Sequence, residues 1–317
     1  MARFLIDYQI CIMQKFPDFL VPGQKIGIVS PARKISKTEI EPALEEIKKR
    51  GFIPVLGKNI FSEFHQFAGT DNERTADFQD MLNNTEIKAI LCARGGYGSV
   101  RIIERLDFSK FLKSPKWICG YSDITVFHSF MHQQFGCSTI HCTMPVHFGD
   151  PQYDAKSIDT LFDALTGRQI KYQWDSNPLN KNGKASGILV GGNLSILYSL
   201  RGTRMDLNTA GKILFFEDLD EYLYHIDRMV YNIRLGGMLD SVKAIVVGSL
   251  SDMKDNTIPY GKTAPEIVLE HTENLGVPVC FGAPAGHQKS NYAFILGAKV
   301  NLEVSSEKVN LGFQTFG

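Results

Sequence analysis

The sequence specifies an α/β protein with a parallel sheet in its first half, and three observations carry that reading. Short apolar runs alternate with amphipathic stretches whose apolar residues recur every three or four positions, the pattern of strands joined by crossover helices. Glycine-rich or polar turns follow two of those runs, at the strand ends where parallel sheets gather their ligands. After residue 187 the alternation continues and the last third becomes richer in strands, so the second half reads as mixed α and β.

Each element has its own signal. Residues 25–31 (KIGIVSP) read as a buried strand. Residues 37–51 follow as a helix, with Ile40, Leu44 and Ile47 on one face and Gly51 as the stop. Residues 52–56 form a second strand, and 71–84 a helix with Phe78, Met81 and Leu82 apolar. The third strand, 87–93 (IKAILCA), runs into Arg94-Gly95-Gly96-Tyr97-Gly98-Ser99, and 100–106 is again helical. Trp117, Ile118 and Cys119 make the next strand, which meets Gly120-Tyr121-Ser122-Asp123 and passes straight into a helix. Ile124, Phe127, Met131 and Phe135 share one face of that helix. A strand at 138–144 and a helix at 157–165 complete this half. Residues 175–184 are polar and turn-rich, the place for a linker.

Beyond it, 187–192 (GILVGG) leads into a helix ending at Leu200, and 212–216 is a strand closing on Glu217 and Asp218. Residues 222–235 are helical, with Ile226, Met229, Val230 and Ile233 on one face. A strand at 244–250, a helix at 264–275 and a strand at 277–281 precede the rigid loop GAPAGH, which ends at His287. Strand-like segments at 292–296 and 298–304 follow. The expected division is therefore a 1–24 extension, a 25–168 α/β domain, a 169–186 linker and a 187–317 C-terminal domain. Met13 is an alternative start, because periodic structure begins only at Lys25.

Composition narrows the function classes. Lys+Arg and Asp+Glu are both 34, so no global basic field invites nucleic acid. No apolar run is long enough for a membrane span, and the N-terminus lacks the apolar core and cleavage site of a signal peptide. The six cysteines (Cys11, Cys92, Cys119, Cys137, Cys142, Cys280) show no C-x-x-C spacing and read as buried free thiols of a reducing compartment.

The chemistry centres on the tight strand-to-helix turn at Ser122. A serine there is pushed out of the sheet, beside backbone N–H groups and the positive dipole end that favour a developing oxyanion. Residue 124 is Ile rather than Gly, so the G-x-S-x-G signature is absent, and either Ser122 or Asp123 can instead simply cap the helix. RGGYG is an anion-binding loop or a plain tight turn. Glu217 closes an apolar strand, as a carboxylate that orients a histidine would. Asp218, Asp220 and Glu221 read as a solvated acidic loop. His287, in a proline-braced loop, is the general-base candidate, with an exposed loop histidine as the alternative. His128 and His132 have metal-compatible spacing but no H-E-x-x-H context, so neither metal nor cofactor is expected. His141 reads as a core or pocket histidine.

Together RGGYGS, GYSDIT, ILFFED with its following YHIDR, and GAPAGH resemble the LD-carboxypeptidase family of serine peptidases, in the same order and over nearly the whole chain from Lys25. The resemblance implies a Ser–Glu–His triad at Ser122, Glu217 and His287. It implies an oxyanion hole from the backbone N–H groups of Asp123 and Gly96. The implied fold has an N-terminal domain like class I glutamine amidotransferases and a smaller β-rich C-terminal domain. Family members cluster as cytoplasmic homodimers that trim recycled peptidoglycan peptides. The expected activity is thus hydrolysis of the L,D amide that releases D-alanine from a murein tetrapeptide. Arg94, by position, is a candidate cation for the substrate carboxylates, with Gly95 and Tyr97 beside it. Two alternatives stay open: an immunity-type hydrolase of aminoacyl-nucleotide antibiotics using the same triad, and a non-catalytic anion-binding α/β protein.

Overall fold

The computed structural model describes residues 15–314; Cys11, Met13 and most of the expected 1–24 extension lie outside that range. The first half builds five parallel strands, β1 (Lys25–Val29), β2 (Ile53–Leu56), β3 (Ile87–Cys92), β4 (Trp117–Gly120) and β5 (Thr139–His141), in the order β2-β1-β3-β4-β5. The crossovers are α1 (Lys37–Lys49), α2 (Asp71–Asn83), the short α3 (Ser99–Ile102) and α4 (Thr125–Phe135), and α5 (Ala155–Leu165) follows β5. α1 and α2 begin where their sequences say they should. Ser36 with Glu39, and Thr70 with Glu73, form reciprocal capping boxes that satisfy free N–H groups of the first turn. Because β1 lies between β2 and β3, the strand order reverses there, and the crevice above β1 and β3 is a topological switch point.

The second half adds β6 (Lys171–Asp175), β7 (Gly183–Asn193), α6 (Leu194–Ser199), β8 (Ile213–Leu219), α7 (Leu223–Leu235), β9 (Ala244–Ser251), α8 (Ala264–Thr272), β10 (Val279–Cys280), β11 (Phe294–Leu296), β12 (Lys299–Val304) and β13 (Lys308–Phe313). Seven of these strands form one sheet in the order β10-β9-β8-β7-β12-β13-β6, parallel from β10 to β7 and antiparallel beyond.

Three expectations are corrected. The 169–186 segment is no free linker, because β6 lies within it as an edge strand and β7 begins there. Its Lys-Tyr-Gln-Trp-Asp run alternates exposed positions with buried Tyr172 and half-buried Trp174, a weaker signal than a continuous apolar run. The first sheet is not purely parallel, since β11 returns from the C-terminal half and pairs antiparallel with β5. The boundary at 25 also moves, since residues from the expected extension pack on the first sheet. Phe16 and Phe19 lie against buried Trp117, with centroids 4.8 and 6.0 Å away, and the Trp117 indole N–H donates to Asp18 O.

One buried cation ties the first sheet to its crossovers. Lys116 is 2% exposed and donates to the carbonyls of Met81, Leu82 and Asn84 at the C-terminal end of α2. There the charge also answers the negative end of the helix dipole. Lys116→Met keeps the stem but takes that donor from the Met81 and Leu82 carbonyls, so it should lower stability by about 2–4 kcal/mol. The shift of the urea midpoint at constant m-value measures this.

Candidate active site

Ser122 sits where β4 gives way to the helix leading into α4, and its φ of 63° places a non-glycine residue in the left-handed region. Tyr121 before it is extended, so the chain reverses sharply and Ser122 is held in a strained elbow. The capping alternative does not describe this turn, since neither Ser122 nor Asp123 caps α4 through its side chain. The Asp123 carboxylate points elsewhere. It is 1% exposed and accepts the Ser99 N–H at 2.8 Å, fastening the glycine loop to the elbow. Burial pushes its pKa up, while the Ser99 and Gly98 N–H groups work against that shift. On the loop's other side, the buried Arg74 guanidinium donates to Gly98 O and to Pro31 O, and pairs with Asp71.

The glycine loop touches the serine. A Cβ on Gly95 would lie 3.1 Å from Ser122 Cβ and 3.3 Å from its Oγ. Gly96, next in the loop, has φ of 108°, a conformation side-chain-bearing residues rarely adopt. Asp123 stands in the first turn after the elbow, where backbone N–H groups have no intrahelical acceptor. Arg94 is drawn into an ion pair with Glu39 at 3.0 Å, and Tyr97 is 47% exposed on the loop's outer side.

Glu217 and His287 come from the other sheet. Glu217 lies on β8, fully buried, and accepts His287 Nδ1 at 2.7 Å and the His287 backbone N–H at 3.2 Å. This close seating needs glycine at 286, where φ is 112° and a Cβ would fall 2.7 Å from the Glu217 side chain. His287 is not an exposed loop residue, since only 14% of its side chain meets solvent. The bond at Nδ1 leaves Nε2 as the nitrogen facing that opening. Tyr121, the residue before Ser122, places its ring 4.7 Å from the imidazole. Ser122 Oγ and His287 share no hydrogen bond among the described residues; such contacts commonly tighten only when substrate is bound.

Several participants were not legible as such in the sequence. Asn193 ends β7 and donates to Asp218 at 3.0 Å and, more weakly, to Glu217 at 3.4 Å. Its backbone N–H donates to Thr125 Oγ1 on the elbow helix at 2.9 Å. The only signal was an Asn at a strand-to-helix junction, where it does cap α6. Asp218 corrects the expectation of a solvated acidic loop. β8 continues through it to Leu219, and its carboxylate is 2% exposed, accepting the Ser195 and Leu219 N–H groups. Burial, then the Glu217 charge beside it, pushes Asp218 up to about 7. Asp220 and Glu221 pair with Lys254 and His225.

His128 and His141 are built into the core. His128 uses Nδ1 with Thr139 and Nε2 with Gly120 O, so both ring nitrogens are occupied in bracing β4 against β5. Burial pushes both His128 and His132 down to about 3. His141 is fully buried against Phe215, and burial carries it down to about 4. Among the described residues no three His, Cys, Asp or Glu side chains gather as a metal site. A cavity of about 770 Å³ on the β6–β7–β12–β13 sheet includes none of Ser122, Glu217 or His287.

Burial alone would lower His287, but the Glu217 charge and hydrogen bond outweigh it, and the imidazole ends above its ordinary 6.5. For Glu217 burial would raise the carboxyl, yet His287 carries it below its ordinary 4.5. The raised histidine contributes stability that is complete below 6.5 and lost as pH rises through its folded value. The lowered carboxylate contributes stability that is present above 4.5 and lost as pH falls through its folded value. The pair should therefore support the fold most between about 4.5 and 6.5. In an NMR titration His287 should titrate above 6.5, and in Glu217→Gln below it.

Known proteins resemble both halves of the chain. Residues 26–142 match the LD-carboxypeptidase N-terminal domain and residues 186–302 the LD-carboxypeptidase C-terminal domain. A probable murein peptide carboxypeptidase of Bacillus subtilis (strain 168) is 34% identical over 92% of this chain and 92% of its own length. The crystal structure of a muramoyltetrapeptide carboxypeptidase from Oxalobacter formigenes superposes with a TM-score of 0.84 at 27% identity, covering 92% of this chain and 99% of that one. The microcin C7 self-immunity protein MccF of Escherichia coli is 25% identical over 92% of this chain and 94% of its own length.

Proposed function

The chain belongs to the LD-carboxypeptidase family, and from that premise we propose that it is a serine carboxypeptidase releasing the terminal D-alanine of murein tetrapeptides, acting as a cytoplasmic homodimer. The observation that carries the mechanism is the bond from His287 Nδ1 to fully buried Glu217, which fixes the tautomer and leaves Nε2 as the base. Ser122 Oγ attacks the carbonyl of the diaminopimelyl–D-alanine amide, and Nε2 takes its proton. The carbonyl oxygen becomes an oxyanion facing the Asp123 and Gly96 N–H groups. Nε2 then gives the proton to the departing amine, the acyl-enzyme forms, and water repeats the sequence to free Ser122. Glu217 stays ionised and stabilises the imidazolium.

Ser122→Ala and His287→Ala should each lower kcat by roughly 10⁴- to 10⁶-fold, with the double variant little worse than either. Near-normal turnover by folded Ser122→Ala would end the serine-peptidase reading. EDTA should leave turnover unchanged, because no step calls on a metal. Inverting either centre flanking the scissile bond misplaces the carbonyl, and about 1 Å of error costs on the order of 100-fold. Alanine should thus be released from the L,D tetrapeptide much faster than from its all-L counterpart or from the pentapeptide ending in D-Ala–D-Ala. Comparable rates on the three would sink the stereochemical claim. Cleavage of an aminoacyl-nucleotide amide with no muropeptide turnover would favour an immunity-type hydrolase instead.

A further inference from the structure

We propose that Arg33 is the carboxylate anchor of the site, the cation that holds the free C-terminal carboxylate of the departing amino acid. The inference rests on the carboxypeptidase reading and names the residue that makes it an exopeptidase. A peptidase that removes one terminal residue must recognise a carboxylate one residue beyond the scissile carbonyl, about 3.5 Å of extended chain. A guanidinium suits that task, through two parallel N–H donors to one carboxylate.

Arg33 stands in the loop that leaves β1, at the switch point where β1 and β3 diverge. Its backbone N–H donates to Gly95 O, tying that loop to the glycine loop after β3. Its side chain lies on Gly96. A Cβ there would meet Arg33 Cδ at 2.4 Å and Cγ at 2.5 Å, with Nε at 3.3 Å. Gly95, the preceding residue, is the one in contact with Ser122, so the arginine stem and the serine flank consecutive residues of one loop. The absent side chain at Gly96 therefore does two things: it permits the backbone conformation there, and it opens the shelf on which Arg33 rests.

Among the cations on the loops around Gly96, charge pairing points to the same residue. Arg94 is bound to Glu39, while Arg74, Arg101 and Arg105 converge on Asp71, and Lys34 takes Glu63. Arg33 is exposed and makes no ion pair among the described residues. An exposed arginine is ordinarily just solvated; this one has its stem packed on the loop that touches Ser122 and its charge uncommitted. Arg94, the cation expected from sequence, would first have to leave Glu39.

The test compares the tetrapeptide with a free terminal carboxylate and the same peptide capped as its D-alaninamide. Wild-type enzyme should prefer the free acid, and Arg33→Met should lose roughly 10- to 100-fold in kcat/KM on the acid, mostly through KM, with little change on the amide. The ratio of acid to amide rates should thus collapse toward one, and Arg33→Lys should keep part of it. Matching melting temperatures show that the variant is folded. An Arg33→Met enzyme that keeps the wild-type ratio, or loses equally on both substrates, overturns the anchor while leaving the carboxypeptidase reading intact. Collapse in Arg94→Met instead of Arg33→Met overturns it equally. A wild-type enzyme that hydrolyses neither peptide overturns the carboxypeptidase reading and the anchor with it.

Discussion

A carboxylate with no solvent exposure is the constraint around which this molecule is arranged. Glu217 ends an apolar strand run, and an isolated charge at that depth would cost several kcal/mol. His287 answers it twice, through Nδ1 and through its own backbone N–H. Both bonds require the loop before His287 to press flat on β8, which only a glycine at 286 allows. That loop is then fixed from beyond, because Asn291 N–H donates to Ser157 Oγ, and Ser290 and Tyr292 hydroxyls reach Asp154. Those acceptors belong to the start of α5 and its cap, in the first half of the chain. The histidine is thus held from both halves.

The same coupling places the serine. The Asn193 N–H bonds Thr125 at the start of α4, and a Cβ on Gly192 would lie 2.5 Å from Thr125 Oγ1, so the second sheet rests directly on the elbow helix. β11 extends the first sheet, and Phe294 on it packs 5.0 Å from Phe215 of β8. The two sheets therefore share one apolar core. In a site assembled across such a junction, the distance between Ser122 and His287 is set by packing rather than by either strand alone.

The loop at the switch point is held with equal economy. Asp123 grips it from the elbow and Arg74 from α2, each a buried charge spent on backbone groups. Such groups are costly to bury unless their hydrogen bonds are made, so they fix one loop conformation strongly. A strained serine, a pinned glycine loop and a locked imidazole are parts of one preorganised surface, ready before substrate arrives.

Local pattern determined much of this. The apolar periods located β1 to β5, α1, α2 and α4: β1, β3, β4 and β5 are buried runs, and each helix buries one face. Turn chemistry and strand-end position singled out Ser122, Glu217 and His287, and the four motif blocks pointed to the family. Tertiary structure decided what depends on partners distant in sequence. β6 is an edge strand with weak apolar signal, and pairing with β13, itself paired with β12, defines it. β11 joins the first sheet although it is coded in the second half, since strand partners are chosen by three-dimensional register and not by order in the chain. Asp218 and Asp220 lie two residues apart in one acidic run, yet the first is buried as a cap and the second is paired at the surface. Arg33 and Arg94 follow two adjacent strands, and only the position of Glu39 leaves one of them free. Charge tells which residues can pair; the fold determines which of them meet.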